Sequence, residues 1–250
     1  MSEATTRKRR PRSDTGPRLT ARDLAALAWI AQQYAIRLDH LSILLARLNE
    51  PGQYARTPKE AEELTEKRAK HIVRRWQALG LVHKVWILHG NPEWIYLTPE
   101  GLRLVSQNIG QLRTYTPTPA KVEHIYAVNT ARLFIEKRRA DAVWTSERQL
   151  YAGQKIEISK KRPHRPDAVV QTSGRNIAVE VELSSKSYGR LNNILHSLAF
   201  NTEYHTVWYF TQGRAQNTVQ AAIERQPEYK KKIAVYDLDS LEQGGNNAKV

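Results

Sequence analysis

Apolar residues recur at helical spacing along the first third of the chain. Thr20 is placed to cap the first helical segment, and Asp23 stands at the capping-box position. This segment and a second one, which follows Asp39, each carry one apolar face: Leu24, Leu27, Ala28 and Ala31, then Leu41, Leu44, Leu45 and Leu48. A third helix is predicted over residues 59–79, where Gly80 ends it.

The third helix separates its side chains into two faces. Its apolar face consists of Ala69, Ile72, Val73, Trp76 and Leu79. The opposite face is basic and consists of Lys67, Lys70, His71 and Arg74, with Arg68 and Arg75 on a flank. The acidic residues lie in the first half, an arrangement that also suits the helix dipole. The dipole does not explain the run of basic residues, which favours contact with DNA. The four residues of the basic side would enter the major groove, and the two flanking arginines would contact phosphates.

Two short β-like runs follow, at residues 81–88 and 94–97, and a tight turn joins them. Thr98-Pro99 then predicts the start of a further helix. Three helices, a two-stranded wing and a closing helix predict a winged helix-turn-helix domain over residues 19–110. In that domain Lys84 and His89 would lie on the wing, near the minor groove or the backbone of DNA. Three tryptophans are expected in the core, namely Trp29, Trp76 and Trp86.

The second half of the chain alternates between helical and β patterns. Residues 111–119, with two prolines, predict a linker. Beyond it we predict helices at 120–139, 186–200 and 218–225. We also predict five strands: one at 142–149, one that begins after Asp167, one that ends at Glu182, and two at 205–211 and 232–238. This order predicts an α/β (α+β) fold in which a mixed sheet is flanked by helices, over residues 120–240. The basic arm 1–18 and the tail 241–250 are predicted to be disordered.

Three carboxylates are predicted to meet on this sheet. Glu180 and Glu182 share a strand face because side chains alternate, and the glycine-bearing connection 171–175 fits a hairpin that brings Asp167 beside them. Converging carboxylates repel one another unless a cation lies between them, so these three residues are candidate ligands of Mg²⁺ or Mn²⁺. The alternative is the solvated face of an ordinary antiparallel strand.

Pro166-Asp167 with Glu180-Val181-Glu182 resembles the motif of the PD-(D/E)xK nuclease superfamily. The resemblance implies that Asp167 and Glu180 hold Mg²⁺ against a scissile phosphate and that Glu182 is a further ligand or a base. The lysine of the motif is Glu182 here, as in some restriction endonucleases of that superfamily. Lys186 is a candidate substitute for that lysine, and a surface position is the alternative. Glu123 and Glu147 are further carboxylates that could join the site.

Among the overall properties of the chain, its net charge says most about the class of partner. Lysine and arginine number 39 against 25 aspartate and glutamate, which gives a formal net charge of +14. Such an excess favours nucleic acid as the partner, and a membrane-surface or ribosome-associated protein is the competing interpretation. The chain has no cysteine, which excludes disulfides and thiolate metal sites and fits a reducing cytoplasm. The sequence has no phosphate-binding loop, no clustered histidine triplet and no apolar run long enough for a membrane span.

A winged helix followed by Pro-Asp and Glu-x-Glu, in one basic chain, resembles the replication-relaxation family of bacterial mobile elements. The resemblance spans residues 19–240 and rests on domain order and on two segments, His164-Arg165-Pro166-Asp167-Ala168-Val169-Val170 and Val179-Glu180-Val181-Glu182-Leu183-Ser184-Ser185-Lys186. It implies a double-stranded DNA partner, other replication or mobilisation proteins, and a setting in plasmid or integrative-element replication, mobilisation or DNA relaxation.

Two functional hypotheses follow. One is a DNA-binding accessory protein whose inactive nuclease-like domain serves homodimerisation or a second DNA contact. The other is an Mg²⁺-dependent DNA endonuclease or nickase that uses Asp167, Glu180 and Glu182. The missing lysine favours the first hypothesis.

Overall fold

The computed structural model describes residues 18–48, 62–152 and 164–242, so the predicted arm and most of the predicted tail lie outside the described residues. The N-terminal lobe contains α1 (Ala21–Gln32), β1 (Ile36–Arg37), α2 (Leu38–Arg47), α3 (Glu66–Ala78), β2 (Val82–Val85), β3 (Trp94–Leu97) and α4 (Pro99–Ile109). The C-terminal lobe contains α5 (Pro119–Arg138), β4 (Val143–Ser146), α6 (Glu147–Tyr151), β5 (Ala168–Thr172), β6 (Arg175–Glu182), α7 (Tyr188–Ala199), β7 (Thr206–Thr211), α8 (Gly213–Glu224), α9 (Pro227–Lys232), β8 (Ile233–Asp237) and α10 (Leu238–Glu242).

Helix α1 begins as its sequence predicts. The Thr20 hydroxyl accepts a hydrogen bond from the Asp23 backbone N–H, and the Asp23 carboxylate accepts one from the Thr20 backbone N–H at 2.8 Å. This reciprocal pair is a capping box. Asp23 is also completely buried, which a residue in an exposed first turn would not be.

Helix α3 starts later than the predicted residue 59. Of the described residues before it, 63–65 are not helical, and the helix begins at Glu66. Leu64 is buried in the core, and its backbone N–H donates to the carbonyl of Ser42 at 3.1 Å. This anchor takes residues 63–65 out of the helix, so Glu62 and Glu63 precede the helix that carries the basic face.

A small antiparallel sheet closes the N-terminal lobe in the order β1-β3-β2. Strand β1 was not predicted because two residues are too short to show a periodic pattern. The predicted cap of α4 is confirmed, since the Thr98 hydroxyl accepts from the Gly101 backbone N–H at 3.0 Å. Gly101 is required there because a Cβ atom would lie 2.1 Å from the Leu81 carbonyl oxygen.

The C-terminal lobe is built on a mixed sheet, as predicted. Within the described residues its order is β4-β5-β6-β7-β8, with antiparallel pairing up to β6 and parallel pairing beyond. The hairpin between β5 and β6 turns on Ser173 and Gly174, which both have positive φ (49° and 71°). Such a turn matches the twist of the strands it joins.

The predicted strand 142–149 is too long, because it ends at Ser146. The Ser146 hydroxyl accepts from the Gln149 backbone N–H, and the Gln149 side chain accepts from the Ser146 backbone N–H. This second capping box starts α6 and places Glu147 on a short helix instead of a strand.

Helix α5 connects the two lobes. Its apolar residues, including Ala131 and Phe134, pack on one face of the sheet, whereas α7, α8 and α9 cover the other. The Arg132 guanidinium carbon lies 4.5 Å from the ring centre of Trp29 in α1 and 5.3 Å from that of Trp144 in β4. The Asn129 side chain donates to the carbonyl of Ala35 at 3.0 Å. Helix α5 thus joins the two lobes through buried contacts.

Two of the three tryptophans expected in the core lie there. Trp29 and Trp76 are buried, but Trp86 is wrongly predicted, since 71% of it is exposed. Strand β2 ends at Val85, so Trp86 lies beyond the sheet that would have buried it. None of the described helices combines the length and the apolar character needed to cross a membrane.

Candidate functional site

The β5–β6 hairpin brings the predicted acidic residues to one region of the sheet. Asp167 directly precedes β5, and the pairing of Ala168 with Val179 places Asp167 across from Glu180. Glu180 and Glu182 are both buried, on the sheet face that α7 covers. With His124, His164 and Lys186, which contact them, these residues form what we call the carboxylate cluster.

Asp167 is held by hydrogen bonds on both oxygens. One oxygen accepts from the Val181 backbone N–H at 2.8 Å, and the other lies 2.8 Å from Nε2 of His124 on α5. Burial alone would lower the pKa of His124, but the hydrogen bond and charge of Asp167 outweigh it and raise that pKa above its ordinary value. Asp167 therefore favours the protonated form of His124.

Glu180 is the most deeply perturbed acid of the cluster. It is only 5% exposed, and burial together with the charge of Asp167 raises its pKa to about 7. Nε2 of His164 lies 2.9 Å from one of its oxygens and opposes this rise. The other oxygen is buried and has no hydrogen-bond partner among the described residues. Glu180 thus changes its charge near physiological pH.

Glu182 is paired with the nearest lysine. One oxygen accepts from the backbone N–H and hydroxyl of Ser184, at 3.1 and 3.2 Å, and the other pairs with the Lys186 ammonium. Lys186 precedes α7, whose cap is Ser187, although the sequence predicts it as the first residue of that helix. Burial lowers the pKa of Lys186, and the charges of Glu180 and Asp167 oppose that effect. The ammonium therefore lies within the electrostatic range of all three carboxylates.

Strand β7 adds two hydroxyls that sequence analysis did not identify. Tyr209 pairs in register with Glu180, and Thr211 with Glu182. Both hydroxyls are buried without a hydrogen-bond partner in the described part of the chain. Burial and the charges of Glu180 and Asp167 raise the pKa of Tyr209. Residues of this kind are hard to recognise in a strand that is otherwise apolar. The sequence indicated only that Tyr209 carries a hydroxyl group in such a strand.

The cluster does not have the form of a metal centre bound by three carboxylates. Across residues 18–48, 62–152 and 164–242, no three histidine, aspartate or glutamate side chains are arranged to hold one ion. Each carboxylate instead faces its own basic group: His124, His164 or Lys186. Glu123 is exposed on α5, and the Glu147 carboxylate accepts from the Tyr34 hydroxyl at 3.0 Å. The shared Mg²⁺ or Mn²⁺ site therefore stays a prediction.

The exposed basic side chains of α3 form a second candidate site. Lys67, His71 and Arg74 are exposed, while Ala69, Ile72, Val73 and Trp76 are buried on the opposite side of the helix. Neither Lys67 nor Arg74 forms an ion pair with any residue that the structure describes. We call Lys67, His71 and Arg74 the basic face.

Other predicted DNA-binding residues are engaged within the protein. The Arg75 guanidinium bonds both oxygens of Asp23 at 2.6 Å, and Lys70 pairs with Glu66. Lys84 pairs with the buried carboxylate of Glu93. Arg68 is half-buried, and His89 is exposed in the β2–β3 turn. Arg75 in particular has a structural partner that sequence spacing did not reveal.

Comparison with models of known protein families and with curated protein sequences gave no match.

Proposed function

We propose that this protein binds double-stranded DNA through the basic face of α3 and through His89 in the β2–β3 turn. The observation that carries the proposal is the basic face: three exposed basic side chains on a helix whose other side is anchored in the core. The order α1-β1-α2-α3-β2-β3, with a sheet ordered β1-β3-β2, supports a winged helix-turn-helix in which α3 is the recognition helix.

The C-terminal lobe supports a PD-(D/E)xK nuclease-like core that acts without cleaving DNA. Its α5-β4-α6-β5-β6-α7-β7 order, with antiparallel and then parallel strand pairing, supports that core. The pairing of each carboxylate with its own base argues against a working metal centre. We therefore favour an accessory protein, and the sequence resemblance suggests replication, mobilisation or relaxation of a mobile element's DNA, in the cytoplasm and with other proteins of that process.

Replacing Arg74 with alanine is expected to weaken duplex binding by roughly 1–3 kcal/mol if Arg74 contacts a base edge, and by less if it contacts a phosphate. Fluorescence anisotropy in a salt titration separates these cases, because loss of a phosphate contact lowers the salt slope by about one. Arg74 is exposed and outside the core, so the variant should remain folded.

Lys231→Ala is the matched control, since it removes the same charge from the exposed face of α9 in the other lobe. Its affinity should stay within about twofold of the parent protein, because one distant exposed charge contributes little. Equal losses in both variants would show that net charge, not the basic face, drives binding.

Cleavage of DNA is the second candidate function, and one observation favours it. Lys186 lies close enough to Glu180 and Asp167 for their charges to act on it, as a substitute for the missing lysine would. Supercoiled plasmid incubated with the protein and Mg²⁺ or Mn²⁺ tests it, with Asp167→Ala beside it. We expect no nicking from either protein. Metal-dependent nicking that Asp167→Ala abolishes would establish the endonuclease instead.

A further inference from the structure

Trp86 is the most exposed of the large hydrophobic side chains that the structure describes. It lies in the β2–β3 connection, one residue beyond the last pair of the hairpin, Val85 with Trp94. With 71% of its surface exposed, its indole ring loses the burial that normally stabilises tryptophan in a fold. A large exposed aromatic side chain on a hairpin is typical of a binding surface.

One basic side chain lies beside this ring. The Lys84 ammonium lies 5.8 Å from the centre of the Trp86 ring, and His83 and His89 are exposed on the same hairpin. The Lys84 ammonium also pairs with the Glu93 carboxylate, so the formal net charge of +14, and not this lysine alone, favours an anionic partner for the ring.

The hairpin that carries the ring follows α3 closely, since α3 ends at Ala78 and β2 begins at Val82. The buried carboxylate of Glu93, the residue directly before β3, pairs with Lys84. The pKa of Lys70 is raised first by its hydrogen bond with Glu66, and the charge of Glu93 adds to this. The charge of Glu93 therefore acts on Lys84 in β2 and on Lys70 in α3. A ligand that covers the basic face reaches the hairpin without crossing an acidic surface at Glu93, since that carboxylate is buried.

We propose that Trp86 stacks on an unpaired base, so that the N-terminal lobe binds DNA where a duplex meets a single strand. This inference rests on the proposed DNA binding and names its substrate. The basic face holds the phosphates of the duplex, and the indole ring takes the first base that has no partner. Base–aromatic stacking tolerates any base, because every base has a π face. The excess of lysine and arginine in the chain, 39 against 25 aspartate and glutamate, favours a nucleic acid over a protein as the partner of Trp86.

The test compares a forked DNA, which has a duplex arm and two unpaired tails, with a blunt duplex of the same arm. The full chain should bind the fork more tightly than the blunt duplex. Trp86→Ala should lose about tenfold in affinity for the fork and keep its affinity for the blunt duplex. A 2-aminopurine at the first unpaired position should be quenched by the parent protein and by Trp86→Tyr, but not by Trp86→Ala.

Phe200→Ala, which removes an exposed aromatic side chain from the end of α7, is the matched control and should bind the fork normally. Unchanged fork binding by Trp86→Ala would overturn the inference. The proposed function would still stand in that case if the parent protein binds the blunt duplex. Equal losses on fork and duplex would also overturn it, since the ring would then contact paired DNA. If the parent protein binds neither DNA, the inference and the proposed function both fail.

Discussion

Replacing Glu180 with glutamine is expected to stabilise the protein at pH 8 by on the order of 3 kcal/mol and to change its stability little at pH 5. Burial raises the pKa of Glu180 from its ordinary 4.5 to about 7, with the charge of Asp167 adding to the rise. Glutamine resembles the protonated acid in shape and in lacking a charge. The variant therefore avoids the cost of burying a carboxylate at high pH.

The direction follows from proton binding in the two states. The folded pKa of Glu180 is higher than the unfolded one, so the native state binds more protons between pH 4.5 and about 7. Its contribution to stability is complete below pH 4.5 and is lost as the pH rises through 7. Burial alone would lower the pKa values of His124 and His164, but the acids that these histidines contact raise them. Their contribution to stability is therefore also lost as the pH rises.

The wild-type protein alone would not reveal this effect. Burial lowers the pKa of His40 to about 4, so stability rises with pH between about 4 and 6.5 and opposes the contribution of Glu180. His40 is present in both Glu180→Gln and the parent, so its contribution cancels when their free energies of unfolding are subtracted. Urea unfolding of Glu180→Gln and the parent protein at pH 5 and pH 8 measures this difference in stability. The control is Glu100→Gln, which changes an exposed carboxylate and should stay within about 1 kcal/mol of the parent.

A variant that is less stable than the parent at pH 8 would contradict this reasoning. It would mean that His164 and Lys186 hold the Glu180 carboxylate as a structural ion pair. Stabilisation at pH 8 would instead identify Glu180 as a residue kept at a cost to the fold, as functional residues commonly are.

Periodic segments were predictable because local patterns determine them. Helix α1 is specified by its Thr20–Asp23 capping box and its apolar spacing, and the β5–β6 hairpin by alternation around a glycine turn. Both depend on residues close together in sequence. The start of α3 depends instead on Leu64 packing in the core and on its hydrogen bond to Ser42, which no local pattern contains.

The candidate site was predictable in its acids but not in their partners. Motif spacing identified Asp167, Glu180 and Glu182, because residues on two paired strands have a fixed relation. His124 approaches Asp167 from a helix 43 positions away in sequence, and Tyr209 comes from a parallel strand. Parallel neighbours leave no turn signal in the sequence. Local sequence patterns therefore did not reveal the basic partners, although these partners decide between a metal centre and an ion-paired cluster.

Replacing Asp23 with alanine is expected to destabilise the protein by about 3–5 kcal/mol, because the Arg75 guanidinium and the buried Trp76 indole N–H lose the buried carboxylate that they share. The Asp23 carboxylate is completely buried and accepts from the Arg75 guanidinium, the Trp76 indole N–H at 3.2 Å and the Thr20 backbone N–H. Burial alone would raise the pKa of Asp23, but these hydrogen bonds and the charge of Arg75 lower it below its ordinary value. Its contribution is thus present above pH 4 and is lost as the pH falls further.

Glu100→Ala is the matched control for this prediction. Glu100 also lies in the first turn of a helix and pairs with an arginine, Arg103, but both side chains are exposed. An exposed pair with a helix-dipole contribution is worth less than about 1 kcal/mol. Urea unfolding at pH 7 should therefore separate the two variants by at least about 2 kcal/mol, and repeating it at pH 3 should narrow the gap. Similar small losses in both would show that Arg75 turns to solvent when Asp23 is absent, which would leave it available to bind a phosphate.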